Sequence, residues 1–207
     1  MCGIVGYVGD GSALDVVIEG LRRLEYRGYD SAGVALADHG RLWTRKRAGK
    51  LNNLVEAVAD EDVPPATTGI GHTRWATHGG PTDMNAHPHV SADGNVAIIH
   101  NGIIENFAEL REELGLAGVT LQSETDSEVA AHLVSATLPA TGGDLAEAMR
   151  RVARRLNGAF TLVALDARRP DVIVGARRNS PLVVGVGDGE AFLASDVAAF
   201  IAHTRNA

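Results

Sequence analysis

The sequence predicts a mixed α/β domain built in layers, and three observations lead there. Segments such as Val96-Ala97-Ile98-Ile99 are apolar at consecutive positions, so such strands need cover on both faces. Amphipathic helical segments are interspersed with them, each carrying one apolar stripe to lay on a sheet. Finally, 207 residues, 45% hydrophobic and 22% charged, suffice for one domain with a sizeable core.

The chain opens on an apolar run, Gly3-Ile4-Val5-Gly6-Tyr7-Val8-Gly9, that reads as a buried strand. Residues 12–24 follow as a helix: Leu14, Val17, Ile18, Leu21 and Leu24 share a face, and Ser12 with Asp15 makes a capping box. Strands are expected at 31–37 and 41–47, then a weaker helix at 50–59 and a Pro-containing loop at 60–68. Two more strands, 69–73 and 95–104, flank a polar loop rich in His, Gly and Pro. Residues 105–114 read as an amphipathic helix and 119–123 as a short strand. Thr125-Asp126-Ser127-Glu128 is a second capping box, with Asp126 in the first turn of a helix that runs through Val129, Leu133 and Ala136. Residues 144–156 form a helix with Leu145, Met149, Val152 and Leu156 on one side. The end is rich in strands, at 159–165, 172–176, 182–186 and 191–194, followed by a helix from Asp196. No repeat, low-complexity tract or internal linker interrupts the pattern.

A formal net charge of -7 argues against a partner that is nucleic acid or a membrane surface, since both call for a positive face. Cys2 is the single cysteine, so there is no disulfide framework, and an intracellular, cytoplasmic home is expected. No apolar stretch is long enough to span a bilayer.

Several residues could carry chemistry. Removal of Met1 would leave Cys2 with a free α-amine, whose pKa of about 7.7–8.0 makes it a usable base beside its own thiol. The alternative is an inert small hydrophobe at the start of a strand. In Gly71-His72-Thr73-Arg74-Trp75-Ala76-Thr77-His78-Gly79, the Arg74 fork suits a carboxylate and Trp75 could cover a small ligand. The competing account is a surface loop with a salt bridge. Asn101-Gly102 interrupts an apolar strand: an amide and a backbone N–H could face a developing oxyanion, although the local sequence favours a tight hairpin turn. Asp126 could pair with a ligand ammonium, or simply sit at a helix N-terminus favoured by the dipole. His72, His78, His87 and His89 cluster, but their spacing fits no standard zinc pattern, so no metal is expected.

The motifs gain meaning from their order. Met1-Cys2-Gly3-Ile4-Val5-Gly6, Arg27-Gly28-Tyr29-Asp30-Ser31-Ala32-Gly33, the Gly71–Gly79 block, Asn85-Ala86-His87-Pro88-His89, His100-Asn101-Gly102-Ile103-Ile104-Glu105-Asn106 and Ser123-Glu124-Thr125-Asp126 follow one another. Over essentially its whole length, the chain resembles the N-terminal glutaminase domain of the glucosamine-6-phosphate synthases, which are class II glutamine amidotransferases. The resemblance implies an α+β fold, the four-layer α-β-β-α sandwich of the N-terminal-nucleophile hydrolases, with residues 1–207 as one type-2 amidotransferase domain. It implies hydrolysis of L-glutamine to glutamate and ammonia, with no cofactor. Cys2 would be the nucleophile and its α-amine the base, with Asn101 and Gly102 as the oxyanion hole. Arg74 would hold the glutamine α-carboxylate and Asp126 its α-ammonium. Thr77 and His78 would add glutamine contacts, Trp75 would cover the ligand, and Arg27 and Gly28 would line the pocket and support the N-terminus.

The resemblance also implies a longer, homodimeric parent whose C-terminal sugar-isomerase domain, absent from these residues, converts fructose 6-phosphate to glucosamine 6-phosphate. Competing readings are the glutaminase domain of another class II amidotransferase, a non-catalytic glutamine-binding module, and a metal-binding His cluster.

Overall fold

In the computed structural model, which describes residues 2–207, the strands in chain order are β1 (Gly3–Val8), β2 (Ser31–Asp38), β3 (Arg41–Ala48), β4 (Thr68–Arg74), β5 (His89–Val90), β6 (Val96–Gly102), β7 (Phe160–Asp166), β8 (Ile173–Arg178), β9 (Val183–Val186) and β10 (Ala191–Ala194). The helices are α1 (Ala13–Arg23), α2 (Leu51–Ala59), α3 (Phe107–Leu116), α4 (Glu128–Thr137) and α5 (Leu145–Arg155). The strands form two sheets, one ordered β3-β2-β4-β1-β10-β9 and the other β5-β6-β7-β8. Neighbouring strands pair antiparallel throughout. Met1, whose removal the sequence predicts, lies outside the described residues.

Strand alternation explains the layers. In β1, Ile4 faces the other sheet, whereas Val5 and Tyr7 face α1. In β6, Ala97 and Ile99 face the first sheet, whereas Val96 and Ile98 face α4 and α5. Three apolar cores result: α1 and α2 against the larger sheet, sheet against sheet, and α3, α4 and α5 against the smaller sheet. Each fully buried Ile or Leu in them contributes roughly 1.5–3 kcal/mol by leaving water. The α-β-β-α order is therefore set by strands that are apolar on both faces. The helix–sheet approach is close: a Cβ on Gly71 of β4 would meet Val17 of α1 at 2.3 Å.

Most elements lie where the sequence puts them, with Ser12 accepting from the Asp15 N–H at the start of α1. Four expectations are corrected. No strand forms at 119–123: the N–H groups of Gln122 and Ser123 donate to the Glu128 carboxylate, at 2.8 and 2.6 Å, and Val119 N–H donates to Leu114. The Thr125–Glu128 capping box is not made either, because Glu128 reaches back to Ser123 and Thr125 turns to His89. Asp126 consequently precedes α4, which begins at Glu128, and does not lie in its first turn. The helix expected from Asp196 is a single 3-10 turn, Val197–Ala199, capped by the Asp196 carboxylate. Among the described residues, no helix is long and apolar enough to cross a membrane.

Candidate active site

Cys2 is placed by the strand that follows it. Gly3 pairs with Thr73 of β4, and the Gly3 N–H donates to Thr73 Oγ1 at 3.1 Å. Cys2 therefore lies at the end of the larger sheet beside Arg74 and Trp75. Its Sγ accepts from the Trp75 N–H at 3.1 Å. Its carbonyl accepts from Asn101 Nδ2 at 3.1 Å and from Arg27 Nη1 at 3.4 Å. Burial pushes the thiol pKa up, and the Trp75 N–H pulls only part of it back. The thiol is thus protonated at neutral pH and needs a base before it can attack.

Asn101 and Gly102 do not form the hairpin turn that the local sequence favours. They end β6 and pair with Thr161 and Phe160 of β7. The glycine has a different reason: its φ is 115°, and a Cβ there would lie 2.1 Å from the Ala159 carbonyl oxygen. The Asn101 amide is held at both ends, by Cys2 O on the nitrogen side and by His72 Nε2, 2.8 Å away, on the oxygen side. An amide nitrogen carries two hydrogens, so one is left for a ligand.

Arg74 is buried, and burial lowers its pKa. Its guanidinium donates to the carbonyls of His78, Gly79 and Gly80, so the loop it opens also fixes its plane. Asp126 is likewise buried, its Oδ2 accepting from the Ile104 N–H at 2.7 Å and its Oδ1 from Ser127 Oγ at 3.2 Å. Arg27 ties the N-terminus to the end of β10, donating to Ser195 Oγ at 3.1 Å and to Asp196 Oδ2 at 2.8 Å.

Cys2, Arg27, Arg74, Trp75, Thr77, Asn101, Gly102 and Asp126 line one cavity of about 450 Å³, a volume suited to a small molecule. Trp75 is 55% exposed and forms a lip. Two expected residues stand back from the cavity. Gly28 lies behind the Trp75 ring, which a Cβ would meet at 3.3 Å. The His78 ring packs edge-on against Phe107, while its carbonyl serves Arg74.

The cavity wall also holds residues not singled out as ligand contacts: His87, His100, Ile103, Ser127, Ser180 and Pro181. In the sequence, His87 stands in the histidine cluster and in the Asn85–His89 motif, neither of which assigns it a ligand contact. Ser180-Pro181 comes from the β8–β9 connection and carries no local signal. His72 stacks on His87 with ring centroids 4.3 Å apart. Burial drives the pKa of His72 down to about 3 and lowers those of His87, His89 and His100, so these rings are neutral. Among the described residues, no group of three or more His, Cys, Asp or Glu side chains is arranged to hold a metal ion.

The chain as a whole is similar to known proteins. The chain is 70% identical over 207 residues to the isomerizing glutamine–fructose-6-phosphate aminotransferase of Streptomyces coelicolor and 59% identical over 211 residues to that of Mycobacterium tuberculosis. Each match covers 100% of this chain and 34% of the relative, so the chain spans about a third of the length of the curated relatives it matches. Among solved structures, it resembles the glutamine phosphoribosylpyrophosphate amidotransferase of B. subtilis with a TM-score of 0.82 and 25% identity, covering 98% of this chain and 44% of that one. The fold is thus the expected N-terminal-nucleophile hydrolase sandwich. Residues 72–202 match the family described as Glutamine amidotransferase domain. The chain belongs to the glutamine amidotransferase domain family.

Proposed function

We propose that this chain is one type-2 glutamine amidotransferase domain, which hydrolyses L-glutamine to glutamate and ammonia at Cys2. The observation that supports this most is the convergence, on one cavity, of a thiol, an oriented amide, a buried guanidinium and a buried carboxylate. The last two suit the α-carboxylate and α-ammonium of an amino acid, and the first two suit attack on a side-chain amide.

In the proposed reaction, the Cys2 α-amine takes the thiol proton and the sulfur attacks the carboxamide carbon. The oxyanion so formed receives N–H groups from Asn101 and Gly102. Breaking the C–N bond releases ammonia with the proton returned by the amine, leaving a γ-glutamyl thioester. Water, activated by the same amine, then cleaves the C–S bond to give glutamate and the free thiol. Arg74 and Asp126 together would reject amides lacking either charged end. Thr77 would add a glutamine contact, and Trp75 would cover the ligand.

We further propose that the ammonia serves a longer, homodimeric, cytoplasmic parent in which a C-terminal sugar-isomerase domain converts fructose 6-phosphate to glucosamine 6-phosphate. The similarity to the two aminotransferases, over a third of their length, supports this. The test of the domain's activity is glutamate release from glutamine by protein whose N-terminal residue is verified as Cys2. Absence of release from such protein, folded and with its thiol reactive, overturns the reading.

A further inference from the structure

We propose that His72 is a positioning residue, whose Nε2–H locks the Asn101 amide in the orientation that aims its N–H groups at the Cys2 carbonyl and at the oxyanion. The inference deepens the glutaminase reading and rests on it.

The argument starts from the Cys2 carbonyl, which can only accept hydrogen bonds. The Asn101 atom 3.1 Å from it must therefore be the amide nitrogen. Asn101 Oδ1 then faces the other way, 2.8 Å from His72 Nε2. Because Oδ1 can only accept, His72 must donate from Nε2, and a neutral ring then leaves Nδ1 without a proton. Rotating the amide by half a turn would set oxygen against oxygen at Cys2 and, with the ring proton on Nε2, N–H against N–H at His72. Moving that proton to the buried Nδ1, which has no hydrogen-bond partner, would leave a donor unsatisfied. Two partners thus exclude the wrong orientation.

His72 is built to stay where it is. It is fully buried in β4, paired with Ile4 on one side and Gly33 on the other, and its ring stacks on His87. Burial holds its pKa near 3, so the ring stays neutral and the single Nε2–H donor persists over the working pH range. A charged ring here would place a cation beside the buried Arg74.

Three measurements test the inference. His72→Phe keeps a flat ring and removes the donor. It should lower kcat for glutamate release roughly ten- to a hundredfold with little change in KM, by analogy with the loss when the outer hydrogen-bond partners that orient metal ligands are removed. His72→Gln restores an N–H donor and should recover most of that loss. In an Asn101→Ala background, His72→Phe should cost nothing further in kcat, because the group it orients is gone. Should His72→Phe not fold, nitrogen NMR of the wild-type ring reads the tautomer directly, with Nε2–H and a bare Nδ1 expected. Wild-type kcat in folded His72→Phe, an undiminished further loss in the Asn101→Ala background, or an Nδ1–H tautomer overturns the proposal. A wild type that releases no glutamate would instead remove the glutaminase reading, while the tautomer would still report on the bond to Asn101.

Discussion

Asn101, on the smaller sheet, donates through Nδ2 to the carbonyl of Cys2, at the end of the larger sheet, at 3.1 Å. One amide therefore both grips the main chain of the proposed nucleophile and faces its cavity. Replacing Asn101 with Ala should lower kcat for glutamine hydrolysis by roughly a hundred- to a thousandfold, with KM little changed. Steady-state kinetics on folded protein checks this. A rise in KM at constant kcat would assign Asn101 to substrate binding rather than to the transition state.

Gly102 should tolerate no side chain. Its left-handed φ and the 2.1 Å approach to the Ala159 oxygen both oppose a Cβ. Gly102→Ala should lose on the order of 1–3 kcal/mol of stability, read as a lower urea midpoint, together with glutaminase activity. An unchanged midpoint would mean that the end of β6 has room, and that the glycine is there for another reason.

Asp126 offers a way to separate substrate recognition from chemistry at the thiol. Asn at this position keeps an oxygen to accept from the Ile104 N–H and removes the charge, its amide nitrogen replacing the oxygen that accepts from Ser127 Oγ. Asp126→Asn should therefore reduce kcat/KM by about a hundredfold, consistent with losing a hydrogen bond to a charged group. Alkylation of Cys2 by iodoacetamide should proceed at the wild-type rate. If alkylation slowed in parallel, Asp126 would be shaping the site as a whole.

Glu128 should make stability depend on acid. Burial disfavours its charge, but hydrogen bonds from His132, Gln122 and Ser123 outweigh that and hold its carboxyl at about 2, below the ordinary 4.5. A depressed folded pKa stabilises above the unfolded value and is lost as pH falls toward the folded one. The stability difference between wild type and Glu128→Gln should be on the order of 2 kcal/mol at neutral pH and shrink between pH 4.5 and 2. Denaturant midpoints across that range check it, and a pH-independent difference would contradict it.

The layers were legible because they rest on periodicity, which a single sequence carries. Two-faced apolar strands such as β6 and the stripe of α1 gave sheets and helices their order. What failed was set by tertiary competition for backbone hydrogen bonds. Residues 119–123 have strand composition, yet Glu128 captures the N–H groups that a ladder would need. Asn101-Gly102 has turn composition, yet both residues pair with β7 and make no hairpin turn. The order of motifs singles out Cys2, Arg74, Asn101 and Asp126, and the structure sets all four around one cavity. Ser180, Pro181 and the backing role of His72 depend on contacts between sheets and loops, which no local pattern encodes.

The central claim is that Cys2 is the nucleophile of a glutamine hydrolase, and because it is the only cysteine the claim has a direct test. Protein with a verified N-terminal Cys2 is treated with an electrophilic glutamine analogue, then assayed for glutamate release and mapped by mass spectrometry. The expected result is one label per chain, on Cys2, with activity lost in proportion to labelling and protected by glutamine. Labelling at another residue, or glutamate release that survives in Cys2→Ala, would contradict the account.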